Sequence, residues 1–191
     1  MKVSRSQTAE NRERILEGAG RLFREKGFDG VGVAELMKTA GLTNGAFYGH
    51  FTSKDDLIAK ACERVLVSTF DPWSELPEDH TGAALKDFLA TYLSRRHARA
   101  RSEGCLFSAL SGEVARQSAP VRRSFTENLK SRIDALTRVM RPRGDKARRD
   151  QALATISAMV GALMLARAVD DPELSAELLG ATARVLGAGP A

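Results

Sequence analysis

The sequence predicts an all-α protein, and three observations carry that expectation. Apolar residues return every three or four positions through one segment after another, the spacing that gives a helix one apolar face. No stretch alternates apolar and polar residues with the period of two that a half-buried strand needs. Glycine and proline cluster between the periodic segments, at 27–32, 71–82 and 141–144. About nine helices are expected. A small three-helix domain is placed over 1–53 and a larger helical domain over 54–191, with a helix over 54–70 as the connector. A chain of 191 residues can bury a core in both.

In order, residues 1–7 read as a basic arm, with Lys2 and Arg5 available to phosphates. A helix is predicted from Thr8, as its cap, to Lys26, with Ile15, Ala19, Leu22 and Phe23 as its stripe. Gly27 ends it. Over 33–40, Val33, Leu36, Met37 and Ala40 make an apolar face. Gly41 then suits the left-handed residue just past a helix end, and Thr43 is placed to cap the next helix through its hydroxyl. That next helix, over 44–51, holds poor helix formers, two of them glycines, so Phe47 and Phe51 must pin it by packing. Asn44, Gly45 and Tyr48 then face outward. A helix pair around a short glycine turn is the helix-turn-helix pattern, whose second helix enters the DNA major groove.

Ser53 and Asp56 read as a capping box opening the connector, with Lys54 in its first turn as a phosphate contact. Beyond the proline-bearing stretch 71–81, helices are predicted over 82–101, 105–117, 120–140, 147–169 and 172–186. The last two carry small residues on one side: Ala154, Ala158 and Gly161, then Ala176, Gly180, Ala183 and Gly187. Two consecutive helices with a close-approach face as well as an apolar one suggest a four-helix interface between two copies of the chain. The bland alternative is that they only close the monomer core.

Net charge is +5, and the first 54 residues carry nine basic against six acidic side chains. That permits nucleic-acid binding without demanding it. The two cysteines, Cys62 and Cys105, form no CxxC and suggest neither a zinc site nor a disulfide framework. No metal or cofactor is expected. The polar start lacks a signal-peptide apolar region, and the longest apolar run, 158–166, is too short to span a bilayer. A cytoplasmic protein with no membrane partner is expected.

The segment Leu36-Met37-Lys38-Thr39-Ala40-Gly41-Leu42-Thr43, followed by Phe47-Tyr48-Gly49-His50-Phe51 and by Lys54 and Leu57, resembles the TetR/AcrR family of bacterial transcriptional repressors. The resemblance covers about residues 8–60. It implies a homodimer on a palindromic double-stranded DNA operator, released by a small-molecule inducer held in the larger domain. Carried over by position, Thr43, Asn44 and Gly45 would lie near base edges and phosphates. Tyr48, His50 and Lys54 would contact the backbone, and Lys38 a phosphate. Gly32, where the family often has a capping Ser or Thr, loses one hydroxyl contact, and Met37 replaces a usually small residue.

An apolar ligand cavity would draw on Trp73, Phe88, Tyr92 and Phe107, with Leu110, Phe125, Met159 and Met164; each is equally readable as plain core. Cys105 follows Gly104 at a helix start after a basic stretch, surroundings that favour a reactive thiolate. A thiol sensor of oxidants or electrophiles is therefore weighed against a small buried core residue. His97 and His80 receive no role. The rival function classes are an all-α enzyme that binds a small molecule and a nonspecific architectural DNA binder. Against the enzyme stands the absence of any nucleophile–base pair, metal cluster or cofactor loop.

Overall fold

The computed structural model describes residues 4–68, 82–141 and 144–188, the side chains of 65–68 excepted. Among these residues there are nine α-helices, one 3₁₀ helix and no strand. The helices are α1 (Arg5–Lys26), α2 (Val33–Thr39), the 3₁₀ helix Asn44–Gly49, α3 (Lys54–Ser68) and α4 (Ala83–Tyr92). They continue as α5 (Arg95–Arg99), α6 (Leu106–Val114), α7 (Ala119–Val139), α8 (Asp145–Ala168) and α9 (Pro172–Val185). The chain forms two compact units, Met1–Thr69 with Ala109–Asn128, and Phe70–Ser108 with Leu129–Ala191.

In the first unit α1 packs against α2 and α3, and α2 against the 3₁₀ helix. Ile15, Ala19, Phe23, Phe28, Leu36, Met37, Phe47, Phe51 and Leu57 make its core. The helix begins three residues before its expected start. Ser4, not Thr8, is the cap: its Oγ accepts the Gln7 N–H at 3.1 Å, and Thr8 Oγ1 donates to the Ser4 carbonyl at 3.0 Å. Residues 5–7 of the expected arm are therefore helical. α2 closes as the glycine predicts. Gly41 has φ 70°, its N–H bonds the Lys38 carbonyl at 3.0 Å, and the Leu42 N–H bonds the Met37 carbonyl at 2.9 Å. These are the two bonds of a Schellman ending. From α6, Glu113 accepts the Phe28 N–H at 2.7 Å and so ties down the α1–α2 loop.

The second unit has its own apolar core, built from Phe88, Leu89, Tyr92, Ile133, Leu136, Ile156, Met159, Leu163 and Leu179 among others. The single helix expected over 82–101 breaks at Leu93-Ser94. Ser94 Oγ accepts the His97 N–H at 3.1 Å, which starts a new helix rather than extending the old one. α6 is shorter than its expected span, ending at Val114. α8 packs on α9 and α5 on α8. By length and composition α8 would suffice to cross a membrane, yet seven of its residues, from Ala152 to Ala166, are buried within the protein.

Candidate nucleic-acid interface

The stretch Gly32–Phe51 is built outward from two aromatic rings. Phe47 and Phe51 are 1% and 2% exposed, their ring centroids 5.8 Å apart. They fix a segment that is otherwise a weak helix, and it settles as 3₁₀ rather than the α-helix expected, with the Ala46 N–H bonding the Thr43 carbonyl at 3.0 Å. Two glycines in six residues give little α-propensity, and a short i→i+3 coil lets both rings turn inward. Thr43 sits at the N-cap, but its hydroxyl makes no capping bond. The hydroxyl is exposed, as are Lys38, Asn44 and Gly45. Tyr48 is 79% exposed, edge-on to Phe47 at 5.2 Å. His50 and Lys54 are half-buried at the margin. A Cβ at Gly45 or Gly49 would meet nothing within 4 Å, so the surface there is open to close approach.

The helix that follows opens on the expected Ser53 cap, but the return bond goes to Thr52 rather than to Ser53 itself. Ser53 Oγ accepts the Asp56 N–H at 3.0 Å, and Asp56 reaches back to the Thr52 N–H at 3.0 Å. Burial alone would raise the Asp56 carboxyl, but the Lys60 ammonium at 2.6 Å and the Thr52 N–H outweigh it and hold the group below its usual range.

Sequence reasoning missed two contacts made from α1. Arg12 Nη1 donates to the His50 carbonyl at 2.5 Å while its guanidinium lies 4.6 Å from the Phe51 ring centroid. Arg64 and Glu13 pair α3 with α1 at 2.6 Å. No local pattern announces either, since the partners lie 38 and 51 residues apart.

In the second unit, the structure brings Phe88, Tyr92 and Met159 into one apolar cluster, with Cys105 packed against it. Phe107 is buried, Met164 is exposed, and Leu110 and Phe125 belong to the first unit. Trp73 lies outside the described residues. Around Cys105 is a polar knot that the sequence did not announce. His97 Nε2 accepts the Cys105 N–H at 2.9 Å, and His97 Nδ1 contacts the Tyr92 carbonyl at 2.7 Å. The Nδ1–H tautomer satisfies both bonds. Burial lowers the His97 pKa; the Tyr92 carbonyl opposes the shift, and the Arg167 charge adds to it. Arg167 donates to the carbonyls of His97 and Ala98 and to Ser108 Oγ, so a cation closes the C-terminal end of α5. The Tyr92 phenol is pushed well up, mainly by burial, with Cys105 adding to the shift and Arg167 and Ser108 opposing it. Burial pushes the Cys62 thiol up to about 12, which makes it an inert core residue.

Among the described residues no group of three or more His, Cys, Asp or Glu could hold a metal. On the small-residue stripe, Ala154 and Ala158 are exposed, and Gly161, Ala176, Gly180 and Ala183 half-buried. Gly187 is exposed just past the end of α9, at φ 81°.

A two-helix turn stapled by buried aromatics, with an amide, a phenol and two open glycines facing out, defines a helix-turn-helix DNA-binding protein. Residues 15–61 match the family model for bacterial regulatory proteins, tetR family. The chain is 29% identical over 134 residues to the HTH-type transcriptional repressor NemR of Escherichia coli, covering 69% of this chain and 67% of NemR. It is 36% identical over 80 residues to the Bacillus subtilis regulator YerO, a match spanning 42% of this chain and 28% of YerO. In fold it is similar to the reduced form of E. coli NemR, with TM-score 0.78, 24% identity and coverage of 95% and 97% of the two chains. It is also similar to a TetR-family regulator of Agrobacterium tumefaciens, with TM-score 0.76, 20% identity and coverage of 94% and 96%. Residues 15–61 are thus similar to the tetR family of bacterial regulatory proteins, and the chain as a whole has the fold of TetR-family regulators.

Proposed function

We propose that the protein is a cytoplasmic, homodimeric repressor. Two copies of the segment 33–51 would enter successive major grooves of a near-palindromic operator. The observation that carries this reading is the face of the 3₁₀ helix, where Asn44, Gly45 and Tyr48 stand in solvent while Phe47 and Phe51 are sealed below. Lys38, Thr43, His50 and Lys54 border it and supply phosphate contacts. The homodimer is supported by a second exposed apolar region. Of the six large hydrophobic residues left exposed among the described residues, five (Leu153, Met164, Leu165, Leu174 and Val185) lie on α8 and α9, and the sixth is Tyr48. On the same two helices, or just past the second, the small residues Ala154, Ala158, Gly161, Ala176, Gly180, Ala183 and Gly187 would let a second copy approach closely.

The larger unit would be the sensor. A small molecule would bind among Phe88, Tyr92 and Met159, or Cys105 would be alkylated by an electrophile or oxidised by a peroxide. Either event would favour a state with the wrong separation between the two recognition segments. That NemR, the repressor this chain resembles, has a structure described as its reduced form is in keeping with the thiol reading.

The test is an electrophoretic mobility shift with DNA from the region upstream of the protein's own gene, against random-sequence competitor. The proposal expects retention on the upstream DNA in excess competitor. Equal displacement by random DNA would favour a nonspecific architectural binder instead. Adding hydrogen peroxide or a maleimide to wild type and to Cys105→Ser then tests the sensor. Release that persists in the variant removes Cys105 from the mechanism.

A further inference from the structure

We propose that Arg12 is a positioning residue for DNA recognition. From α1 it fixes the C-terminal end of the 3₁₀ helix, and with it the attitude of the outward face that carries Asn44 and Tyr48. The inference rests on the reading of that face as the DNA contact.

The segment needs an outside hold. A 3₁₀ helix has poorer hydrogen-bond geometry than an α-helix and is rarely sustained for long. This one contains two glycines and has no side-chain cap at Thr43. Past Phe47, whose carbonyl accepts the His50 and Phe51 N–H groups, the last carbonyls of a helix have no intrahelical donor. Arg12 meets both needs at once, donating to the His50 carbonyl at 2.5 Å and lying over the Phe51 ring at 4.6 Å. Its partners here are a carbonyl and a ring rather than a carboxylate, so its charge serves the end of this helix and not a salt bridge. Arg12 is half-buried, unlike the exposed Lys38 and Tyr48. A planar group that stacks and donates together can do this, whereas the compact ammonium of lysine cannot do both from one position. Arg12 therefore acts through His50 and Phe51.

The experiment compares wild type, Arg12→Lys and Arg12→Ala. Fluorescence anisotropy is measured on a labelled upstream-region duplex and on a random duplex across a salt series. Amide hydrogen exchange is measured on the DNA-free protein. Positioning predicts that Arg12→Lys, which keeps the charge, binds the specific duplex roughly tenfold more weakly, as loss of one charge-assisted hydrogen bond would give. Random-duplex binding and the salt slope stay at wild-type values. Exchange speeds up at the His50 and Phe51 amides, both of which donate to the Phe47 carbonyl. The proposal is overturned if Arg12→Lys binds like wild type while Arg12→Ala flattens the salt slope by about 0.9, the signature of one lost phosphate contact. It is overturned equally if the variants lose specific and random binding in parallel with a lowered melting temperature, which marks plain destabilisation. Unchanged exchange at His50 and Phe51 also overturns it, whatever the DNA shows. Wild-type protein that does not prefer the upstream duplex defeats the DNA-contact reading itself, a result distinct from these.

Discussion

Phe47 and Tyr48 are neighbours with opposite surroundings, and the contrast makes their roles separable. Phe47 is sealed in the core and Tyr48 is not. Tyr48→Phe removes a hydroxyl from solvent and should leave the melting temperature unchanged. A hydrogen bond to a charged group such as a phosphate is worth about 1.5–3 kcal/mol, so anisotropy should show operator affinity falling roughly ten- to hundredfold. Equal affinity for the two proteins would remove the phenol from the contact list. Phe47→Ala should behave oppositely, costing about 3–5 kcal/mol of unfolding free energy by denaturant titration. His97 gives a residue-scale prediction in pH. Its neutral ring accepts the Cys105 N–H, and burial with the nearby Arg167 lowers its pKa below the ordinary 6.5. The unfolded chain then binds the proton more readily than the folded one. Stability is full above about pH 6.5 and falls as pH drops from there towards the lowered folded value. Urea midpoints between pH 8 and 5 should decline more steeply for wild type than for His97→Gln. Parallel curves would exclude the mechanism.

At the scale of the element, the 3₁₀ helix joins weak intrinsic structure to an open surface. Gly45 is at negative φ, and a methyl there would touch nothing within the protein. Gly45→Ala should therefore fold at least as well as wild type, with up to about 1 kcal/mol gained in helix propensity, yet bind the operator more weakly because the methyl meets DNA. A variant that is both stable and fully active would show that the glycine is not kept for close approach. The same element shows how far the sequence could be read. Gly41 after an apolar run, and Ser53 three residues before Asp56, name their own geometry because the signals are local and few residue types satisfy them. The i→i+3 winding of residues 44–49 was not legible, because poor propensity says that packing decides without saying what it decides. The break at Ser94 was equally hidden: the apolar period stops at Leu93, but the arginines and alanine that follow are good helix formers, and it is the Ser94 hydroxyl, accepting the His97 N–H, that opens a new helix there. Arg12 with His50, Glu113 with Phe28, and Arg167 with the α5 carbonyls join partners tens of residues apart, beyond any window of periodicity.

For the molecule as a whole, the distribution of exposed apolar side chains is the strongest statement about assembly. A monomer can leave single hydrophobic residues in water at little consequence, but several on two helices packed together favour a partner. Leu165 is 54% exposed on α8 and Val185 85% exposed on α9, and neither contributes to the core of its unit. Replacing them by Asp and Lys respectively should leave the helical circular-dichroism spectrum and the monomer core intact while removing apolar area from the proposed contact. Sedimentation equilibrium should then show the wild-type dimer giving way to a monomer. Operator affinity should fall steeply as well, because two recognition segments on one body bind with the effective concentration that a single segment lacks. A variant that sediments as a dimer would place the interface elsewhere. A variant that is monomeric yet binds the full operator at wild-type affinity would sever dimerisation from DNA reading, and with it the two-groove mechanism.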